Sequence, residues 1–275
     1  MSIEANLVPT DPLVGHAIQP AGCPPANVTT VLVTRYWVDP TEGAVNIEPD
    51  AAYFARRAEL FLRWCLPSVA AQTRPPEGWL ILISPRVRDL IGDDVRDAIE
   101  TVPGARIVLV PEGRSFSSVA RQWLEDQTLR LWEPWTVVAR LDNDDAIARD
   151  YVHTLGCWVA RARPATPSTL VFPHGVQHDT TTGNTTVDMH STNHFTAVAY
   201  RRGQRDIVPY GPAHTEIYAE QGKHKATSAG IHQILTRYPM WAEILHDDNA
   251  ANHTRPGPTI MHTPGEWQDR FGVRP

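Results

Sequence analysis

The chain has 275 residues, enough for one large domain or two small ones and for a sizeable buried core. Its formal net charge of -6 and pI near 6.0 exclude a non-specific nucleic-acid binder, which needs an excess of basic residues. No apolar run reaches the length of a membrane span, and the opening MSIEANLVPTDPL lacks the basic and apolar regions of a signal peptide. Cys23, Cys65 and Cys157 show no paired spacing, and two of the three fall in apolar helical patterns where a buried reduced thiol is the default. No disulfide framework is therefore expected, and the reducing cytoplasm is the expected compartment.

Residues 1–27 carry Pro9, Pro12, Pro20, Pro24 and Pro25 with little periodicity, so they read as an irregular tail. Val28 to Trp37 is a first strand. Phe54, Ala58, Phe61, Leu62, Cys65 and Val69 recur at helical steps between Ala51 and Gln72, with Pro67 expected to kink or restart that helix. Trp79–Ile83 is a second strand, Arg88–Thr101 a polar helix and Arg106–Val110 a third strand. A helix then runs from about Phe116 to Trp132, and Trp135–Leu141 is the fourth strand. Strands alternating with helices predict a parallel sheet with helices on its faces. Right-handed crossovers put all four strand ends on one rim, which gathers Thr34, Arg35, Ser84, Arg86 and Arg114 there.

Beyond residue 150, where eleven of the twelve histidines lie, a helix is expected at Asp150–Arg163 and short strands at Thr169–Pro173 and Phe195–Arg201. A polar loop rich in Thr, Asn and His spans Gln177–Asn193. Thr215–Gln221 and Ile231–Tyr238 read as helical, Met240–His246 as a last strand, and the tail from Asn249 as irregular. No linker separates the halves. One composite domain over residues 28–275 is expected, with residues 28–146 binding a nucleotide sugar and 147–275 facing an acceptor.

The most informative string is VVARLDNDDA at Val137–Ala146, a strand that delivers Asp142, Asn143, Asp144 and Asp145 at its C-terminal end. Ligands of open α/β sheets bind at that edge. Side chains alternate along an extended chain, so Asp142 and Asp144 can share a direction and hold a divalent cation, whose remaining ligands are typically phosphate oxygens. The plainer explanation is a turn with a helix cap, since Asp and Asn serve both.

A strand–helix half ending in DxD resembles a glycosyltransferase of the GT-A fold, and ARLDNDDA at Ala139–Ala146 is similar to the bacterial rhamnosyltransferase group within it. VTRYW on the first strand, LPSVAAQ at Leu66–Gln72 and MWAEILHDDNAANH from Met240 agree, and the likeness covers roughly residues 28–255. It implies a nucleoside-diphosphate sugar donor, Mn²⁺ or Mg²⁺, and hexosyl transfer, with rhamnose the sugar that the group's name carries. It also implies roles. Asp144 is the metal ligand, Asp142 a metal or ribose contact, and Asp145 a further ligand or a cap. His246 is the third ligand, with Asp248, Asn249, Asn252 and His253 as other contacts from the same segment. Thr34, Arg35 and Asn143 lie at the nucleotide, and Arg114 and Arg121 flank a helix start suited to a diphosphate. Ser84-Pro85-Arg86 stands where related folds often place an acidic base contact, which leaves the base open. Glu216 is the expected general base, followed by Glu220 and Asp188, and the stereochemistry is open.

His174, His178, His190 and His194 lack a zinc spacing, so the loop that holds several of them is expected to face the acceptor, a saccharide, natural product or protein. Two other readings stand. A sugar nucleotidyltransferase would show a glycine cluster after the first strand, where this chain has TRYWVDPTEG. A carbohydrate-binding protein without catalysis would have no need of the acidic cluster.

Overall fold

The computed structural model describes residues 27–37, 50–114, 116–128, 134–190, 193–201, 231–247 and 266–274. The expected N-terminal tail, the Thr215–Gln221 helix, Glu216, Glu220, Asp248, Asn249, Asn252 and His253 lie outside these residues, except for the tail's last residue, Asn27. The strands are β1 (Val28–Trp37), β2 (Gly78–Ile83), β3 (Ala105–Leu109), β4 (Trp135–Arg140), β5 (Ala146–Ile147), β6 (Ser168–Val171), β7 (His174–Asp179), β8 (Thr185–Met189), β9 (Thr196–Arg201), β10 (Ile231–Gln233) and β11 (Trp241–Leu245). The helices are α1 (Ala51–Leu60), α2 (Leu66–Ala70), α3 (Asp93–Glu100), α4 (Phe116–Thr128), α5 (Tyr151–Ala162) and α6 (Glu266–Phe271).

Seven strands form one sheet in the order β10-β6-β9-β4-β1-β2-β3. β1 is parallel to β2 and β4, β2 is parallel to β3, and β9 is antiparallel to both β4 and β6. This is a mostly parallel sheet with helices on its faces, as expected for the first half. The strand order reverses at β1, so the crevice for a ligand opens at the C-terminal ends of β1 and β4. A smaller sheet, β5-β11-β7-β8, stands beside that end.

The period of two along the strands sorts the core into two layers. Val28, Leu32 and Tyr36 of β1 pack with Trp79, Ile81 and Ile83 of β2 toward α1, α2, α5 and the smaller sheet. Val31 and Val33 pack with Leu80 and Leu82 toward Ala120 and Leu124 of α4. Both faces are covered, which is why these strands read as nearly continuous β-branched and aromatic runs.

Pro67 does not break the helix that precedes it. Instead α1 passes into α2 through a π-helical turn at Phe61–Cys65, in which Leu66 N–H donates to Phe61 O. Proline has no N–H and crowds the carbonyl four residues back, and widening the turn before it accommodates both effects.

The structure corrects four readings. The polar loop at Gln177–Asn193 is largely the β7–β8 hairpin, closed around Gly183 at φ 73. Its strand character comes from pairing with β11, where Gly175 faces Trp241 and a Cβ would lie 2.1 Å from the indole. Ile231–Tyr238 is not helical: Ile231–Gln233 pairs with β6 as a parallel edge strand. The tail contains α6, which buries Trp267 and Phe271 and pairs Arg270 with Asp150 at 2.6 Å. Cys65 is a free buried thiol as expected, but Cys157 is disulfide-bonded, so the cysteines no longer argue for a reducing compartment. Among the described residues, no helix is long and apolar enough to cross a membrane.

His178 shows how the smaller sheet joins the core. Its ring lies against Trp64 and Trp267, with centroids 5.3 Å and 4.7 Å away, and Nδ1 is hydrogen-bonded to Thr185 Oγ1 at 2.9 Å. Burial first, and Arg63 second, lower its pKa from 6.5 to about 4. The unfolded chain therefore binds a proton that the folded chain refuses, so this contribution is present above pH 6.5 and is lost as pH falls toward 4. Its full size is about 3 kcal/mol. Denaturant unfolding at pH 7 and pH 4.5 should show a smaller loss of stability in a His178→Asn chain than in the wild type. Equal losses would show that His178 does not titrate in this way.

Candidate functional site at the end of the fourth strand

The acidic residues after β4 form a short loop pinned on both sides. Leu141 N–H donates to Val33 O at 3.0 Å and Asn143 Nδ2 donates to Tyr36 O at 2.9 Å, which ties the loop to β1. Asp145 N–H closes a turn on Asp142 O at 3.4 Å. Burial alternates along it: Asn143 and Asp145 are buried, while Asp142 and Asp144 are half-buried. The period read from the sequence therefore survives into the loop as an inner and an outer pair.

Each carboxylate meets a basic side chain from a different part of the chain. Arg140 grips Asp142 with two bonds, Nε to Oδ1 at 3.0 Å and Nη2 to Oδ2 at 2.6 Å. Arg57 of α1 donates to Asp144 Oδ2 at 2.6 Å, and His246 Nε2 is hydrogen-bonded to the same oxygen at 3.0 Å. His194 Nε2 is 2.7 Å from Asp145 Oδ2, and Ile244 N–H of β11 donates to Asp145 Oδ1 at 2.9 Å. Behind His194, its Nδ1 lies 4.0 Å from Oε1 of buried Glu243, whose Oε2 accepts from Gln177 at 2.6 Å. The buried chain Asp145–His194–Glu243–Gln177 thus joins the two sheets.

These contacts divide the three acids electrostatically. Burial disfavours the charge of Asp142, but Arg140, with His194 and Arg35, holds its carboxyl well below the usual carboxylate range. Burial also opposes the charge of Asp144, and His246 and Arg57 together lower its pKa. For Asp145 burial wins and raises the pKa to about 7. Burial opposes the charge of His194, but Asp145 outweighs it and raises the imidazole's pKa. Near pH 7 the outer acids are ionised, and the inner acid is hydrogen-bonded to the imidazole.

Two donor sets could hold a divalent cation. Ligand atoms of Asp142, Asp145 and His194 lie within 4.8 Å of one another. In that set both oxygens of Asp145 are already engaged and Asp145 and His194 are buried, which leaves half-buried Asp142 as its most exposed member. Asp144 Oδ2 and His246 Nε2, 3.0 Å apart, form the second set, and mixed carboxylate and imidazole donors suit Mn²⁺.

The remaining expected residues are placed as follows. Arg35 acts electrostatically on Asp142 from β1. Thr34 turns the other way: it is fully buried and its hydroxyl accepts from Trp79 Nε1 at 2.9 Å. Arg114 donates from Nε to Ser118 Oγ at 3.3 Å, and Arg121 sits half-buried on α4. Ser84 caps a 3-10 segment, Pro85–Leu90, by accepting from Arg86 N–H at 3.3 Å. Asp188 lies on β8, half-buried. Sequence reasoning missed Arg57, Arg140 and Glu243 and gave His194 no role in the acidic loop. Only Arg140 carried a signal, two residues before Asp142 on the same strand.

A family model described as "Putative rhamnosyl transferase" matches residues 38–258. No curated protein matches the chain. Among solved structures, S. aureus TarS 1-349 matches at 8% identity and TM-score 0.40, over 79% of this chain. The chain spans 60% of that structure's length. A 4-diphosphocytidyl-2C-methyl-D-erythritol synthase matches at 12% identity and TM-score 0.35, over 77% of this chain and 91% of that one. A mannose-1-phosphate geranyltransferase from Thermus thermophilus matches at 13% identity and TM-score 0.35, over 78% and 75%.

The Asp145–His194 pair should behave as one unit of stability. Removing either partner leaves a buried polar group without its counterpart, at a cost of about 3–5 kcal/mol. In a double-mutant cycle by chemical denaturation, Asp145→Ala and His194→Ala should each cost about that much, and the double variant far less than their sum. Additive losses would show that the two side chains are not coupled.

Proposed function

The chain belongs to the family described as putative rhamnosyl transferase, and from that premise we propose that it transfers a hexosyl group, with rhamnose as the first sugar to test, from a nucleoside-diphosphate donor to an acceptor hydroxyl. The observation that carries this reading is the outer acid pair. Asp142 and Asp144 stand ionised and half-buried where the strand order reverses, surrounded by Arg57, Arg140 and His246. A nucleoside diphosphate brings the negative charge that the two guanidinium groups accept.

In this reading Asp144 and His246 hold the divalent cation, and Asp142 contacts the ribose or a water in the cation's shell. When bound, the cation neutralises the charge that grows on the leaving diphosphate. Arg57 and Arg140 are tethered to carboxylates in the ligand-free protein. They exchange those partners for diphosphate oxygens when donor enters, so the site keeps its charge balance. Asn143, held by the Tyr36 carbonyl, fixes the loop so that the outer pair does not have to reorganise. As the bond from the anomeric carbon to the diphosphate oxygen breaks, the acceptor oxygen bonds to that carbon. Its proton passes to a carboxylate, for which Glu216, outside the described residues, remains the proposed base.

Thermal-shift measurements with dTDP-, UDP- and GDP-sugars, with and without Mn²⁺, test the proposal. One nucleotide should stabilise the protein in a metal-dependent way. Asp144→Ala and His246→Ala should each abolish that shift while leaving a cooperative unfolding transition. A metal-dependent shift retained in both variants would sink the ligand assignment, and no response to any donor in the wild type would sink the transferase reading.

A further inference from the structure

We propose that the cleft beside His246 is a saccharide subsite for the acceptor, a reading that rests on the transferase function proposed above. The cleft has a volume of about 300 Å³. That is the small end of the range for ligand sites and is suited to one or two sugar rings. One wall is a single face of the first helix: Glu59, Leu60, Arg63 and Trp64 line it at helical spacing, running from α1 into the π-helical turn. The opposite wall is the β7–β8 turn, at Thr181, and the end of β11, at His246 and Asp247.

The chemistry of this lining is that of hydroxyl recognition. A sugar hydroxyl both donates and accepts. Here guanidinium donors alternate with carboxylate acceptors and a threonine that does both. The two arginines of the lining, Arg56 and Arg63, are matched in charge by Glu59 and Asp247, so the cleft selects neither an anion nor a cation. A neutral polyhydroxylated ligand fits that balance. Half-buried Leu60 supplies an apolar patch for a ring's C–H face, backed by buried Trp64.

Position adds the second argument. His246 lines the cleft and is also hydrogen-bonded to Asp144 at 3.0 Å, so the cleft and the acidic loop share one wall. A saccharide seated in the cleft would bring a hydroxyl toward the donor bound at the outer acid pair.

Saturation-transfer NMR on the full chain tests the proposal, with the methyl glycosides of glucose, galactose, mannose, rhamnose and N-acetylglucosamine as probes. At least one should bind. Thr181→Trp, on an exposed turn that tolerates bulk, and Arg63→Ala should each weaken binding by roughly tenfold or more. The metal-dependent donor shift should persist in both variants. Failure of the wild type to bind any glycoside, or wild-type binding in both variants, would overturn the subsite. Loss of the donor shift in the wild type would instead overturn the transferase reading and leave the glycoside result standing.

Discussion

The structure depends on one buried carboxylate. Asp145 has both oxygens engaged, one by Ile244 N–H of β11 and one by His194 at the start of β9. That geometry ties the end of a strand in the large sheet to a central strand of the small one. A buried carboxyl is expensive to leave unsatisfied, so the clamp forms completely or the local fold does not. Its effect reaches the neighbouring residues. With Asp145 fixed inward and Asn143 fixed to β1, the intervening Asp142 and Asp144 are left at the crevice with their charges intact.

The acid cluster is therefore two devices that share four residues. The inner pair is architecture and the outer pair is the candidate chemistry. Arginine and histidine hold the outer carboxylates in the ligand-free protein, which keeps three nearby acids from repelling one another. The two arginines are also suited to phosphate oxygens. A site that exchanges internal ion pairs for ligand contacts does not bury unpaired charge at any stage. It also gives Arg57 a reason to sit on the helix that walls the neighbouring cleft: one face of that helix packs the core, one residue reaches the acids, and a third face lines the cleft.

Much of the first half was legible in the sequence because its signals are local. β1 matches the expected span from Val28 to Trp37, and β2, β3 and β4 differ from expectation by a residue at their ends. In β1, β2 and β4, runs buried on both faces leave no ambiguity about strand character. The second half was less legible. The β7–β8 hairpin is polar because its strands pack against β11 and surround buried hydrogen bonds, and β10 is three residues long and exists through its partner β6. α6 was invisible because its six residues are held by Trp267 and Phe271 docking in the core.

For the site, the sequence by itself determined the acidic string, its place at the end of a strand, and the alternation that separates Asp142 and Asp144 from Asn143 and Asp145. Strand period and the polarity of side chains fix those features, and both are local. Apart from Arg140 and Asp142, neighbours on one strand end, only the tertiary structure decided which basic side chain meets which acid. Arg57 lies 87 residues from Asp144, His194 lies 49 from Asp145 and His246 lies 102 from Asp144. Pairings over such distances follow from sheet order and from the clamp between the two sheets. That is why Asp145, read from the chain as a ligand or a cap, is the residue that holds the sheets together.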